Sequence, residues 1–156
     1  MSQSDENWLI LSKGIEIPGF NVVVPWQCSE SDLFQLIPRH NFTFSSGGHW
    51  PMLHFKLFGF SATWGFNFVS APSGCFSELQ FRNDKPFSPK RTYRRSWPKL
   101  LKALGCPNIV NHGRWGQQTW HVGGVWVDNN IASSTRLPSN EVVPVHFLSI
   151  RSMAAT

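Results

Sequence analysis

LHFKLFGFSATWGFNF, residues 53–68, carries its apolar side chains at Leu53, Phe55 and Leu57, and then, beyond Gly59, at Phe60, Ala62, Trp64, Phe66 and Phe68. A period of two sends successive side chains to opposite faces of an extended chain, so both halves read as strands with one buried face. At Gly59 the apolar set moves from odd to even positions. That change of parity calls for a bulge or a tight turn, and glycine supplies the backbone angles. SAPSG (70–74) then provides turn chemistry, and CFSELQFR (75–82) returns with Cys75, Leu79 and Phe81 on one side, so an antiparallel hairpin is expected.

Toward the N-terminus, a polar tail over residues 1–7, expected to be flexible, precedes Trp8–Leu11 and GIEIPGFNVVV (14–24). These are short β-prone runs broken by Gly14, Pro18 and Gly19, and they read as one or two edge strands. In SESDLFQLIP (29–38), Ser29 and Asp32 have the spacing of a capping box. Leu33, Phe34, Leu36 and Ile37 supply a helical face, and Pro38 ends it.

Toward the C-terminus, RRSWPKLLKALGCPN (94–108) follows Tyr93, and Tyr93, Trp97, Leu100, Leu101 and Leu104 fall into one stripe of a 3.6-period helix. With Pro98 placed in the first turn, where its missing N–H costs little, the regular helix is expected to start near Ser96 and to stop at Gly105 and Pro107. TWHVGGVWV (119–127) and EVVPVHFLSI (141–150) each read as a strand, the second lying partly at an edge because of Pro144, with NNIASSTRLPSN (129–140) as a polar loop. The order predicts an α+β fold in one domain over residues 1–156: a mainly antiparallel sheet of about six strands with two helices packed on it.

At 156 residues with 41% apolar and 15% charged side chains, the chain supports one sizeable core and does not have the composition of a disordered segment. Eight Trp and thirteen Phe exceed what one core easily takes, so some are expected at the surface. Cys28, Cys75 and Cys106 are odd in number and widely spaced, which suits reduced thiols. No secretory signal or membrane span is visible, so a cytoplasmic protein is expected.

Catalytic and cofactor motifs are sparse. His49 and His54 are an odd number of residues apart, which sets them on opposite strand faces; His112 and His121 flank a glycine-rich turn, and neither pair has metal-ligand spacing. Gly-x-Ser-x-Gly and Gly-x-x-x-x-Gly-Lys are absent, and Gly123-Gly124 lies within a predicted strand. Among nine acidic residues only Glu78 sits in a clear central strand, a thin supply for acid–base chemistry. A small hydrolase using His121 and His146 from neighbouring strands is one alternative. The chain reads as non-catalytic, with no metal and no cofactor.

Charge is unevenly placed. The net charge is +5, and Arg82, Lys85, Lys90, Arg91, Arg94, Arg95, Lys99 and Lys102 are eight of the fourteen basic residues, opposed locally by Asp84 alone. Such a segment attracts phosphate or an acidic protein surface. Phe87, Tyr93 and Trp97 interleave it, so a nucleic-acid-binding module over 82–102 is a second alternative, although Trp97 falls in the core stripe and no RNP-type pattern is matched.

GIEIPGF, the Phe-rich hairpin ending in FSELQFRND, SWPKLLKALGCPN and the Trp-bearing TWHVGGVWV together resemble small bacterial immunity proteins of polymorphic-toxin systems. The matching positions are Leu79, Phe81 and Arg82, then Leu104, Gly105 and Pro107, then Trp120 and Trp126, within roughly residues 14–128. The resemblance implies a cytoplasmic antidote that binds one cognate toxin, by covering its active site or by locking an inactive shape, without catalysis. It departs in charge: antidotes to nucleases are often acidic, so a basic chain favours a toxin with an acidic cleft, such as a nucleotide-modifying or NAD-consuming enzyme. Trp and Arg dominate interface hot spots, which selects Arg94, Arg95, Arg114, Trp115 and Trp126 as the candidate partner-binding residues.

Overall fold

A computed structural model describes residues 1–45, 50–68, 74–83, 89–111, 116–136 and 138–153. Strands β4 (Pro51–Leu57) and β5 (Phe60–Phe68) form the expected pair, aligning Leu53 with Trp64 and Leu57 with Phe60. Phe58 and Gly59 make the two-residue connection, both with positive φ, 52° and 76°. This left-handed pair matches the twist of a tight hairpin and explains the parity switch.

Around that hairpin the described strands make one eight-stranded antiparallel sheet, in the order β3-β4-β5-β6-β10-β9-β8-β7. The others are β3 (Thr43–Phe44), β6 (Phe76–Asn83), β7 (Ile109–Asn111), β8 (Gln117–Val122), β9 (Val125–Arg136) and β10 (Glu141–Ser152). A separate two-stranded sheet pairs β1 (Gly14–Ile17) with β2 (Val22–Pro25). The α+β class stands, but the main sheet is larger than six strands and three helices rather than two accompany it: α1 (Gln3–Lys13), α2 (Glu30–Leu36) and α3 (Pro89–Leu104).

Three local signals account for the difference. Gln3–Lys13 is a helix rather than a polar tail leading into a strand, begun by a capping box in which Ser2 and Asp5 bond reciprocally. Gly123 and Gly124 are not inside a strand; at φ 57° and 82° they turn the chain and split TWHVGGVWV into β8 and β9. The stretch taken as a polar loop continues β9 to Arg136, paired residue by residue with β10. Its polar residues lie on both sides of the strand; Asn129 is buried in a hydrogen-bond network, while Ser133 and Thr135 are exposed near the strand's end. β10, expected to lie partly at an edge because of Pro144, is an interior strand between β6 and β9; Pro144 itself lies opposite Ser133 of β9, beyond the described β10–β6 register that begins at His146.

The registers align Phe66 with Leu79, Phe81 with Leu148, Ile150 with Val127 and Val127 with Trp120, which gathers these side chains on one sheet face. Leu11, Ile15, Val24, Leu33, Leu100 and Leu104 cover that face and complete a single apolar cluster. Of the aromatic side chains expected at the surface, Phe20 is exposed, but no described tryptophan is. Four of the indole N–H groups donate to carbonyls: Trp8 to Leu104, Trp120 to Gly105, Trp26 to Leu11 and Trp64 to Phe55, at 2.7–3.1 Å. Trp8 and Trp120 thereby satisfy carbonyls at the end of α3 that the helix itself leaves unpaired.

Helix α3 begins at Pro89 instead of Ser96 and runs through Pro98. Pro89 occupies the position where proline costs nothing. Pro98 and Arg94, whose carbonyl loses its i+4 donor, are both exposed, so the defect is on the wet side of the helix. The buried stripe is Pro89, Tyr93, Ser96, Leu100, Ala103 and Leu104, rotated from the apolar reading; Leu101 is 37% exposed.

Candidate functional site

The basic block divides. Arg82 stands on β6, on the sheet face away from the helices, where its guanidinium donates to Ser134 Oγ at 2.6 Å and lies over the Phe147 ring. Asp84, Lys85 and Phe87 lie outside the described residues. Lys90, Arg91, Arg94, Arg95, Lys99 and Lys102 all project from the solvent side of α3, a helix of 16 residues with no acidic side chain. None of these six forms an ion pair among the described residues, where Arg151 with Asp128, at 3.2 Å, is the one salt bridge. From Lys90 to Lys102 the helix thus displays a cationic face about 18 Å long.

That face is rigidly held. Thr92 Oγ1 meets His146 Nδ1 at 2.8 Å, His146 Nε2 meets Asn129 Oδ1 at 2.6 Å, and Asn129 Nδ2 donates to Gln118 Oε1 at 2.9 Å. The Ser96 hydroxyl lies 3.2 Å from the same Asn129 oxygen. His146 is fully buried among Phe60, Phe81 and Tyr93, and burial pushes its pKa down to about 3, so it is neutral. A polar chain under the centre of α3 ties it to β8, β9 and β10. Burial also raises the Tyr93 hydroxyl to about 12.

Of the predicted partner-binding residues, the structure brings Arg94 and Arg95 together on α3. Arg114 and Trp115 lie outside the described residues. Trp126 does not join the arginines: it alternates with core residues Val125 and Val127, which sends it to the far face of the sheet. There it stacks on His121, ring centroids 4.0 Å apart, beneath the Arg151 guanidinium. It does not share a face with Trp120, because the Gly123-Gly124 turn pairs Trp126 with His121 and Trp120 with Val127.

The histidine readings change likewise. His121 on β8 and His146 on β10 are not neighbours, since β9 runs between them, and they face opposite sides of the sheet. His54 bonds to Thr63 and Ser61 through its two ring nitrogens, while His49 and His112 lie outside the described residues. Among the described residues no three His, Cys, Asp or Glu side chains are placed to share a metal ion. Cys28 is buried and its thiol is pushed up to about 11, chiefly by desolvation. Tyr93 is buried and unavailable as a base-stacking platform.

Sequence reasoning missed a groove beside α3, formed where Asn7 of α1 and Phe58 of the β4–β5 turn approach Lys99, Lys102 and Ala103. It unites segments remote in the chain; the one local signal was a phenylalanine beside Gly59 in a tight turn.

Comparison with protein-family models, curated proteins and solved structures gives no match. The likeness to immunity proteins rests on the residues quoted for it.

Proposed function

We propose that this chain is a non-catalytic binding protein that neutralises a cognate bacterial toxin in the cytoplasm by covering its active site, with the solvent face of α3 meeting an acidic cleft. The observation that carries this is the set of six cations on α3 without an ion pair among the described residues. Lys90 with Arg94, Arg91 with Arg95, and Arg95 with Lys99 are like-charged pairs four residues apart, each costing the helix a few tenths of a kcal/mol. A partner bearing carboxylates relieves that repulsion, and complementary charge speeds encounter and excludes wrong partners. Arg94 and Arg95 lie near the middle of the face, where hot spots concentrate.

The test is co-expression in bacteria with the toxin encoded by the adjacent gene. The wild-type chain restores growth and the Arg94→Glu/Arg95→Glu variant does not. Failure of the wild-type chain to protect, or equal protection by both, refutes the proposal.

A further inference from the structure

The cationic face ends at the groove. The groove, about 380 Å³, is bounded by Asn7, Phe58, Gly59, Lys99, Lys102 and Ala103. A second hollow of about 180 Å³ shares Asn7 and Phe58 with it and reaches Leu11, Lys56 and Leu57. The floor is fixed: Asn7 Nδ2 donates to the Ala103 carbonyl at 2.8 Å, pinning α1 to the last turn of α3. Three lysines line the two hollows against one carboxylate, Glu16.

Phe58 stands at the junction, half-buried, with φ 52°. Asn, Asp or Gly normally occupies that turn position, and a bulky side chain there costs about 1 kcal/mol. The ring is retained at the groove in spite of this. The Lys99 stem passes 3.8 Å from where a Cβ on Gly59 would stand, so its methylenes lie along the turn at the groove's edge.

We infer that this groove is the anchor of the interface proposed above: it accepts one apolar side chain from an acidic loop of the partner protein, packed on Phe58, while flanking carboxylates pair with Lys99 and Lys102. The inference rests on the reading that α3 meets an acidic protein, and charge complementarity chooses the occupant. Burying one leucine-sized side chain in such a pocket corresponds to about tenfold in affinity.

Two labelled peptides test it by fluorescence anisotropy at low salt: one with Leu between two pairs of Glu, and its twin with Gly in place of Leu. Wild-type protein binds the Leu peptide about tenfold more tightly than the Gly peptide, and Phe58→Asn, which suits the left-handed turn, loses that preference. As a second variant on exposed positions, Lys99→Gln/Lys102→Gln weakens the Leu peptide more than the charge-matched Lys90→Gln/Arg91→Gln at the other end of α3. Equal binding of the two peptides, binding of neither, or equal weakening by the two double variants overturns the groove inference; the co-expression result decides the toxin reading separately. A random-sequence DNA duplex bound more tightly than either peptide, and equally by Phe58→Asn, also overturns the groove inference.

Discussion

Thr92 and His146 join α3 to the central strand β10 across 2.8 Å, and their chemistry fixes the tautomer. The Asn129 amide oxygen facing His146 Nε2 can only accept, so Nε2 carries the proton; in the neutral ring Nδ1 is then an acceptor facing the Thr92 hydroxyl, which the Pro89 carbonyl also meets at 3.1 Å. Burial, which penalises the charged ring, is what selects the neutral imidazole here. The helix that bears the cationic face is therefore held by a group that burial keeps uncharged.

That burial makes stability depend on pH. Burial lowers the His146 pKa from 6.5 to about 3, so between these values the unfolded chain binds a proton that the folded chain does not. The contribution is fully present above the unfolded value and is lost as pH falls toward 3, by up to about 1.4 kcal/mol per pH unit. Urea unfolding near pH 7 and near pH 5 will show this loss in the wild type and a much smaller one in His146→Gln. Equal pH dependence in the two proteins would remove His146 from the explanation.

Asn129 serves Gln118, His146 and Ser96 at once, so Asn129→Leu fills the space and leaves buried polar groups unpaired. The expected loss is about 2–4 kcal/mol, read from the urea midpoint. A loss below about 1 kcal/mol would mean that the network adds little to stability.

Gly14 and Gly19 make a contrast within one hairpin. A Cβ on Gly14 would overlap the Val24 carbonyl, whereas at Gly19, φ 90°, it would meet nothing within 4 Å. Gly14→Ala therefore costs about 3 kcal/mol or more, and Gly19→Ala only the backbone strain of about 1 kcal/mol. Thermal unfolding of the two variants orders them; the reverse order would contradict the β1–β2 register.

The cationic face is kept at the expense of helix stability. Arg95 lies four residues from both Arg91 and Lys99, so Arg95→Glu turns two repulsive pairs into attractive ones. The variant is expected to be more stable by about 1 kcal/mol at low salt, an effect that fades at high salt. A stability loss would show that Arg95 has a structural partner.

Local periodicity was legible and pairing was not. The alternation on either side of Gly59 and the Ser29–Asp32 capping box were readable because each signal lies within a few residues. The Ser2–Asp5 box has the same chemistry, but the four apolar residues Trp8–Leu11 satisfy strand and helix patterns equally well. Gly123-Gly124 passed as strand interior because two glycines lack the side chains that carry periodicity. At the candidate site, the charge of α3 could be counted from the sequence. That Trp126 stands on the far face, and that Phe58 approaches Lys99, depend on strand register and chain crossings that no local pattern encodes.

The most direct measurement of the central claim is calorimetric titration of the purified toxin from the adjacent gene with the wild-type chain and with Arg94→Glu/Arg95→Glu. Nanomolar binding by the wild type, weakened about 30-fold or more by the double charge reversal, is the predicted result. An absence of binding, or one affinity for both proteins, would contradict the assignment of α3 as the toxin-facing surface.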